Sequence, residues 1–236
     1  MRKFLIVLLV LAVAGLIGAD RFGKARAESE VARQVAAQYR LPEQPSVKIG
    51  GFPFLTQAIN GRYERIDVVI GDYTQQGVTV QDVRIRLNNL KAPLSDLLNG
   101  DQSNVRAETA TASAVIPYDV LQKAVADKGV QKVSRKGEDV LLEGTFSFVG
   151  ISAPVGVTVS VEPTVKGIVI TPRTVQTSGI QVPLDLVKRD LTYTVPVTGL
   201  PMGSRITAAD PEDAGLRITG TAENVDLSGV TQQTAG

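Results

Sequence analysis

The chain contains no cysteine and no histidine. Without cysteine there is no disulfide, no thiolate nucleophile, no thiolate metal site and no lipid attachment through an N-terminal cysteine. Without histidine the chain lacks the commonest metal ligand and the side chain that ordinarily titrates near neutrality, so a serine triad in its usual form is excluded. Charge of one sign is also missing. The net charge of +1 gives no basic field for counterion-driven contact with phosphodiesters, and no nucleic-acid partner is expected. No Walker loop, Gly-x-Ser-x-Gly elbow, dinucleotide fingerprint, zinc-protease motif or calcium loop occurs, so neither a cofactor nor a metal is expected. Aromatic residues are scarce at 5%, although 43% of residues are hydrophobic.

What is present begins at the N-terminus. Arg2 and Lys3 precede an uninterrupted apolar run from Phe4 to Ala19, which Asp20-Arg21 closes. A signal-peptide core is roughly 7–15 residues and a spanning helix about 20, so the run falls between the two and the chain is exported in either case. The nearest Ala-x-Ala pattern, Ala25-Arg26-Ala27, lies beyond several charges. That distance favours an uncleaved anchor over residues 4–19, with Arg2 and Lys3 on the cytoplasmic side. Three segments follow: a signal peptide or anchor over 1–20, one α+β domain over 21–227, and a polar tail over 228–236 that is expected to be disordered.

Within the domain, Arg21 to Arg40 predicts a helix with an alanine-rich stripe, ended by Leu41-Pro42. It either packs on the body or continues the membrane segment as a stalk. Ile66, Val68 and Ile70 share one face of the next strand, with Tyr63, Arg65, Asp67 and Val69 on the other. From Val78 to Leu87 the apolar phase slips, and a bulge near Gln81-Asp82 would reconcile it. Arg84 and Arg86 then project from one face, as a solvated surface or as partners for lipid phosphates. Leu90 to Gly100 reads as a loop with one helical turn, closed by Asn99-Gly100, and Asn104 to Ile116 as a strand of small residues. A helix from Pro117 to Lys128 follows. The strongest hairpin joins Val140, Leu142, Phe146 and Phe148 to Ile151, Ala153, Val155, Val157, Val159 and Val161, turning at Gly150. Pro172 is expected at a strand end or an edge. A brief helix over 182–189, a strand from Leu191 to Val197, a turn over 198–203 and a final hairpin of 204–209 with 216–227 complete the chain.

The organising stretch is Gly50-Gly51-Phe52-Pro53-Phe54-Leu55-Thr56-Gln57, followed by Gly61 and the alternating strand. Pro53 stiffens an arm that carries two rings. Together with Ile116-Pro117-Tyr118 and Leu200-Pro201-Met202-Gly203, it resembles the LmeA-like phospholipid-binding family of bacterial envelope proteins across most of the chain after the apolar run. The resemblance implies phospholipid as partner, phosphatidylinositol types included. It also implies a long twisted antiparallel sheet curled around helices, similar to the tubular bactericidal permeability-increasing proteins, with an apolar cavity for acyl chains. On that analogy Phe52, Phe54, Ile66, Val68, Ile70, Phe146, Phe148, Val157 and Val159 are candidates to line the cavity. The bland alternative for each is core packing.

The reading is thus a non-enzymatic phospholipid-binding or lipid-carrying protein at the periplasmic side of the cytoplasmic membrane. One rival is a structural adaptor with a solid core that supports membrane enzymes of envelope glycolipid synthesis. A second is a hydrolase using the carboxylates of Glu138-Asp139 or Glu212-Asp213. Both pairs stand in polar, turn-like contexts with no apolar setting to raise one pKa.

Overall fold

A computed structural model describes residues 2–75, 77–101, 103–148, 151–164, 167–177, 188, 192–196 and 203–227. It is an α+β fold made mostly of strands, with two antiparallel sheets. The turn at Gly150, most of the expected helix over 182–189, most of the turn over 198–203 and the tail over 228–236 lie outside the described residues.

The first element is one unbroken helix, α1 (Arg2–Tyr39). No proline interrupts it, and the expected helix from Arg21 is continuous with the apolar run. Short elements follow: β1 (Ser46–Ile49), α2 (Phe54–Asn60), β2 (Arg62–Gln75), β3 (Val78–Lys91), α3 (Leu94–Asn99), β4 (Arg106–Pro117) and α4 (Tyr118–Ala124). The remaining strands are β5 (Val130–Lys136), β6 (Asp139–Phe148), β7 (Ile151–Thr164), β8 (Gly167–Thr177), β9 (Tyr193–Pro196), β10 (Arg205–Pro211) and β11 (Gly215–Asp226). One sheet has the order β1-β2-β3-β4-β11-β10, the other β5-β6-β7-β8-β9.

The chain divides into two compact units. The described residues of the first fall within Met1–Ile70, Arg84–Ala110 and Glu223–Gly236, and those of the second within Gly71–Val83 and Thr111–Ala222. In the first unit the later part of α1 packs on β1, α2 and α3. Ala27, Val31 and Ala32 are buried there, so the alanine-rich stripe is a packing face. In the second unit Val130, Val133, Val140, Val155, Val157, Val159 and Leu216 form a buried cluster, with Tyr118, Leu121 and Val125 packed against it. Side chains of this size bury about 1.5–3 kcal/mol each, enough to hold a sheet of modest residues without aromatic filling.

Three local results differ from or refine the alternation in the sequence. Tyr63 is buried at 1% exposure, not placed on the outer face with Arg65. Next to it the Glu64 N–H donates to the Gln57 side-chain Oε1 at 2.9 Å. Asp82 does carry the slip in β3, with φ 48°, and Asn89 and Asn224 make similar excursions in β3 and β11. Short Asx side chains tolerate this region better than others do. Pro172 lies inside β8, opposite Val159 and beside a register shift at Thr158/Val159, and the strand continues to Thr177. Among the described residues β9 pairs with Gly167 to Ile170, short of Pro172, and the register shift beside Pro172 is the kind of irregularity at which a strand accepts proline.

Candidate functional site

The corner before β2 is built by close backbone approach. Gly51 has φ 85°, and a β-carbon there would come within 2.7 Å of Gln57 Nε2 and 2.8 Å of the Glu64 carboxyl carbon. Only glycine fits both demands. The buried Gln57 side chain ties the corner together, its Nε2 donating to the Gly50 carbonyl at 3.1 Å while its Oε1 receives Glu64 N–H. α2 then ends at Gly61, φ 59°, whose carbonyl accepts Ala92 N–H at 2.9 Å.

Pro53 gives α2 no side-chain cap. That role is taken from α1: the Asp20 carboxylate, 3% exposed, accepts the Leu55 N–H at 2.8 Å. A carboxylate at a helix start satisfies an orphan donor and suits the local dipole. Further along α1, Glu28 accepts the Ile49 N–H at 2.7 Å. The helix that carries the apolar run is therefore hydrogen-bonded into the first unit at two levels.

The two rings of the corner part company. Phe54 is buried at 2% exposure, while Phe52 is 56% exposed, with the Arg21 guanidinium 5.7 Å from its ring centre. Leu55 and Ile59, four residues apart on one face of α2, are also exposed, as is Phe22. In α1, Phe4, Ile6 to Leu11, Val13, Leu16 and Ile17 all present large apolar side chains outward. Among the described residues, this is one helix long and apolar enough to cross a membrane, near the N-terminus, as an anchor or a signal sequence would be.

Beside α2 lies an open groove of about 440 Å³, lined by Ile59, Asn60, Arg62, Lys91, Leu94 and Asn104 among others. Arg62 begins β2 and Lys91 ends β3, so the pairing of these strands in the sheet brings the two cations to one end. No carboxylate lines the groove, and neither cation has an ion pair among the described residues. By contrast Arg86, singled out in the sequence, is held by Asp67 at 2.6 Å, and Arg84 also has a partner.

The nine expected lining residues divide between the units. Phe52, Phe54, Ile66, Val68 and Ile70 belong to the first, and Phe146, Phe148, Val157 and Val159 to the second. Ile66 and Val68 are buried and pair across the sheet with Ile49 and Val47; Ile70 is half-buried. Val157 and Val159 are buried in the valine cluster. The backbone of Phe146 and Phe148 pairs with Ala153 and Ile151, but their side chains lie outside the described residues.

The carboxylate pairs are engaged by arginines. Asp139 meets Arg173 at 3.2 Å, Glu212 meets Arg217 at 2.6 Å, and Asp213 meets Arg135 at 2.6 Å. The hydrogen bond that Arg217 donates to Glu212 raises the Arg217 pKa further, with Asp82 adding to it. Tyr118 donates its hydroxyl to the Glu212 carbonyl at 2.9 Å, and burial raises its pKa. Among the described residues no three acidic side chains converge as a metal site would require.

These features define an α+β protein with an apolar, membrane-length N-terminal helix joined to a strand-rich body. The family model of LmeA-like phospholipid-binding proteins matches residues 18–221, most of the chain, and the chain belongs to that family. Neither a curated protein nor a solved structure matches it.

The groove and the exposed part of the corner were not legible as a site from sequence alone. Phe52 and Phe54 look equivalent in the sequence, and Arg62 and Lys91 are far apart in it. The one available signal was the pairing of the two ends of a long hairpin.

Proposed function

We propose that the protein is a non-enzymatic phospholipid-binding protein held by α1 at the periplasmic face of the cytoplasmic membrane. The observation that carries the tether is the Asp20 carboxylate. Cleavage after Ala27 would remove the group that caps α2, so a retained helix is the form in which the first unit is complete. Family membership supplies phospholipid as the ligand. The groove supplies a chemistry for its headgroup, with Arg62 and Lys91 as cations for the phosphate and Asn60 as a neutral donor.

The curled sheet and acyl cavity implied by the family resemblance extend this reading. In that extension the faces bearing Ile66, Val68, Ile70, Phe146, Phe148, Val157 and Val159 part to admit the chains, and a lipid is carried and not only held. Burial of Ile66, Val68, Val157 and Val159 equally suits core packing, so the extension requires these faces to open.

Full-length protein purified in a neutral detergent should retain phospholipid detectable by native mass spectrometry and should bind a fluorescent phospholipid. Its intact mass should include residues 1–27. A lipid-free protein that ignores the fluorescent probe would overturn lipid binding and leave the structural adaptor. Val68→Asp that stays folded and takes up lipid unchanged would overturn the opening of that face.

A further inference from the structure

We infer that the α2 corner is a second membrane contact: Phe22, Phe52, Leu55 and Ile59 insert into the interfacial layer of the same bilayer that α1 crosses. The inference rests on the tether reading and adds to it a seat for the first unit. At about 1.5 Å per residue, the run from Phe4 to Ala19 is about 24 Å long, against about 30 Å of hydrocarbon. The shortfall draws the next turn of α1, Asp20 to Gly23, to the membrane boundary.

The corner is fixed to that same turn. Asp20 caps Leu55 at 2.8 Å, Arg21 stands over the Phe52 ring, and a β-carbon at Gly23 would touch Leu55 Cδ2 at 3.5 Å. Whatever depth Asp20 to Gly23 adopts, Phe52 and Leu55 share it. Ile59 is carried one turn further on the Leu55 face of α2, and it is 85% exposed.

A contiguous apolar face of this kind is costly in water and favourable at the boundary of headgroups and acyl chains. Arg21, Lys24 and Arg26 follow soon after the apolar run, where long basic side chains reach toward headgroups while their stems lie along apolar surface. Aromatic rings with a neighbouring guanidinium are likewise suited to that layer. The bilayer is therefore the occupant that the geometry imposes on this face, because the helix to which the corner is locked leads into it.

The chain has no tryptophan, so single substitutions give clean depth reporters. Leu16→Trp, Ile59→Trp, Phe52→Trp and Tyr39→Trp are made in the full chain. Each is reconstituted in vesicles of phosphatidylcholine and phosphatidylglycerol with bromine on the acyl chains, and circular dichroism checks the fold. Leu16→Trp should be strongly quenched. Ile59→Trp and Phe52→Trp should each lose at least about twofold in emission, as interfacial side chains do. Tyr39→Trp, about 29 Å further along the helix, should be unaffected. If Ile59→Trp and Phe52→Trp are quenched no more than Tyr39→Trp while Leu16→Trp is quenched, the second contact is overturned and the tether stands. If Leu16→Trp is itself unquenched, the tether fails and the inference falls with it.

Discussion

The two parts of α1 invert each other. In the first, large apolar side chains such as Leu9, Leu11 and Leu16 stand fully outward; in the second, alanines, a valine and even the carboxylate of Asp20 are buried. Helix propensity is ample in both, so propensity does not distinguish them. What differs is the surrounding medium. The first part has no protein contacts to its outward side chains and suits hydrocarbon, where leucine is at home. The second part lies against β1, α2 and α3, where small side chains allow close approach and a charge must find a donor. Hydrophobicity alone would assign the buried face to the wrong part.

That contrast can be broken most severely at the membrane end. Leu8→Arg with Leu11→Arg adds about 2.5–3.5 kcal/mol per charge near the centre of a span, and should abolish insertion, seen as loss from alkali-washed membranes. The same pair should leave the melting of detergent-purified protein unchanged, since neither residue is buried in the body. Next in size is Val31→Asp, which places an unpaired charge on the packed face. It should cost about 3–5 kcal/mol and strongly lower the thermal midpoint, while Leu16→Ala should not move it. Asp20→Ala should cost about 1 kcal/mol through the lost cap of α2, with faster amide exchange at Leu55.

The smallest effect should be a gain within the first unit. The Tyr63 hydroxyl is buried with no hydrogen-bond partner among the described residues, so Tyr63→Phe should be neutral or stabilising by up to about 1 kcal/mol. Burial also raises the Tyr63 pKa above its ordinary 10.0. The unfolded chain therefore loses this proton first as pH rises. Stability from Tyr63 is complete below about pH 10 and declines above it, and Tyr63→Phe should flatten that alkaline limb in pH-dependent melting.

Much of this architecture could be read before any coordinates. The apolar run, the Asn99-Gly100 end of α3 and the β6–β7 hairpin all follow from periodicity and turn chemistry. Tyr63 is the exception: it stands at the start of its strand, beside the corner where Gln57 holds the Glu64 N–H, and is buried there although alternation puts it with Arg65. Asn89 and Asn224 bend their strands by the same local freedom as Asp82, but without an apolar slip conspicuous enough to mark them. At the site, sequence singled out the Phe-Pro-Phe arm and could not tell which ring would face outward. In the structure Phe54 is the ring that turns inward, beside Gly23 of α1.

The unbroken course of α1 also has a mechanical meaning. With no proline in it and one continuous course from Arg2 to Tyr39, the helix, retained as the proposed tether, has no break between the bilayer and the first unit. A lipid layer that thins or thickens tilts such a rod, by up to some tens of degrees. The attitude of the corner toward the lipid surface would then be set by the thickness of the membrane itself.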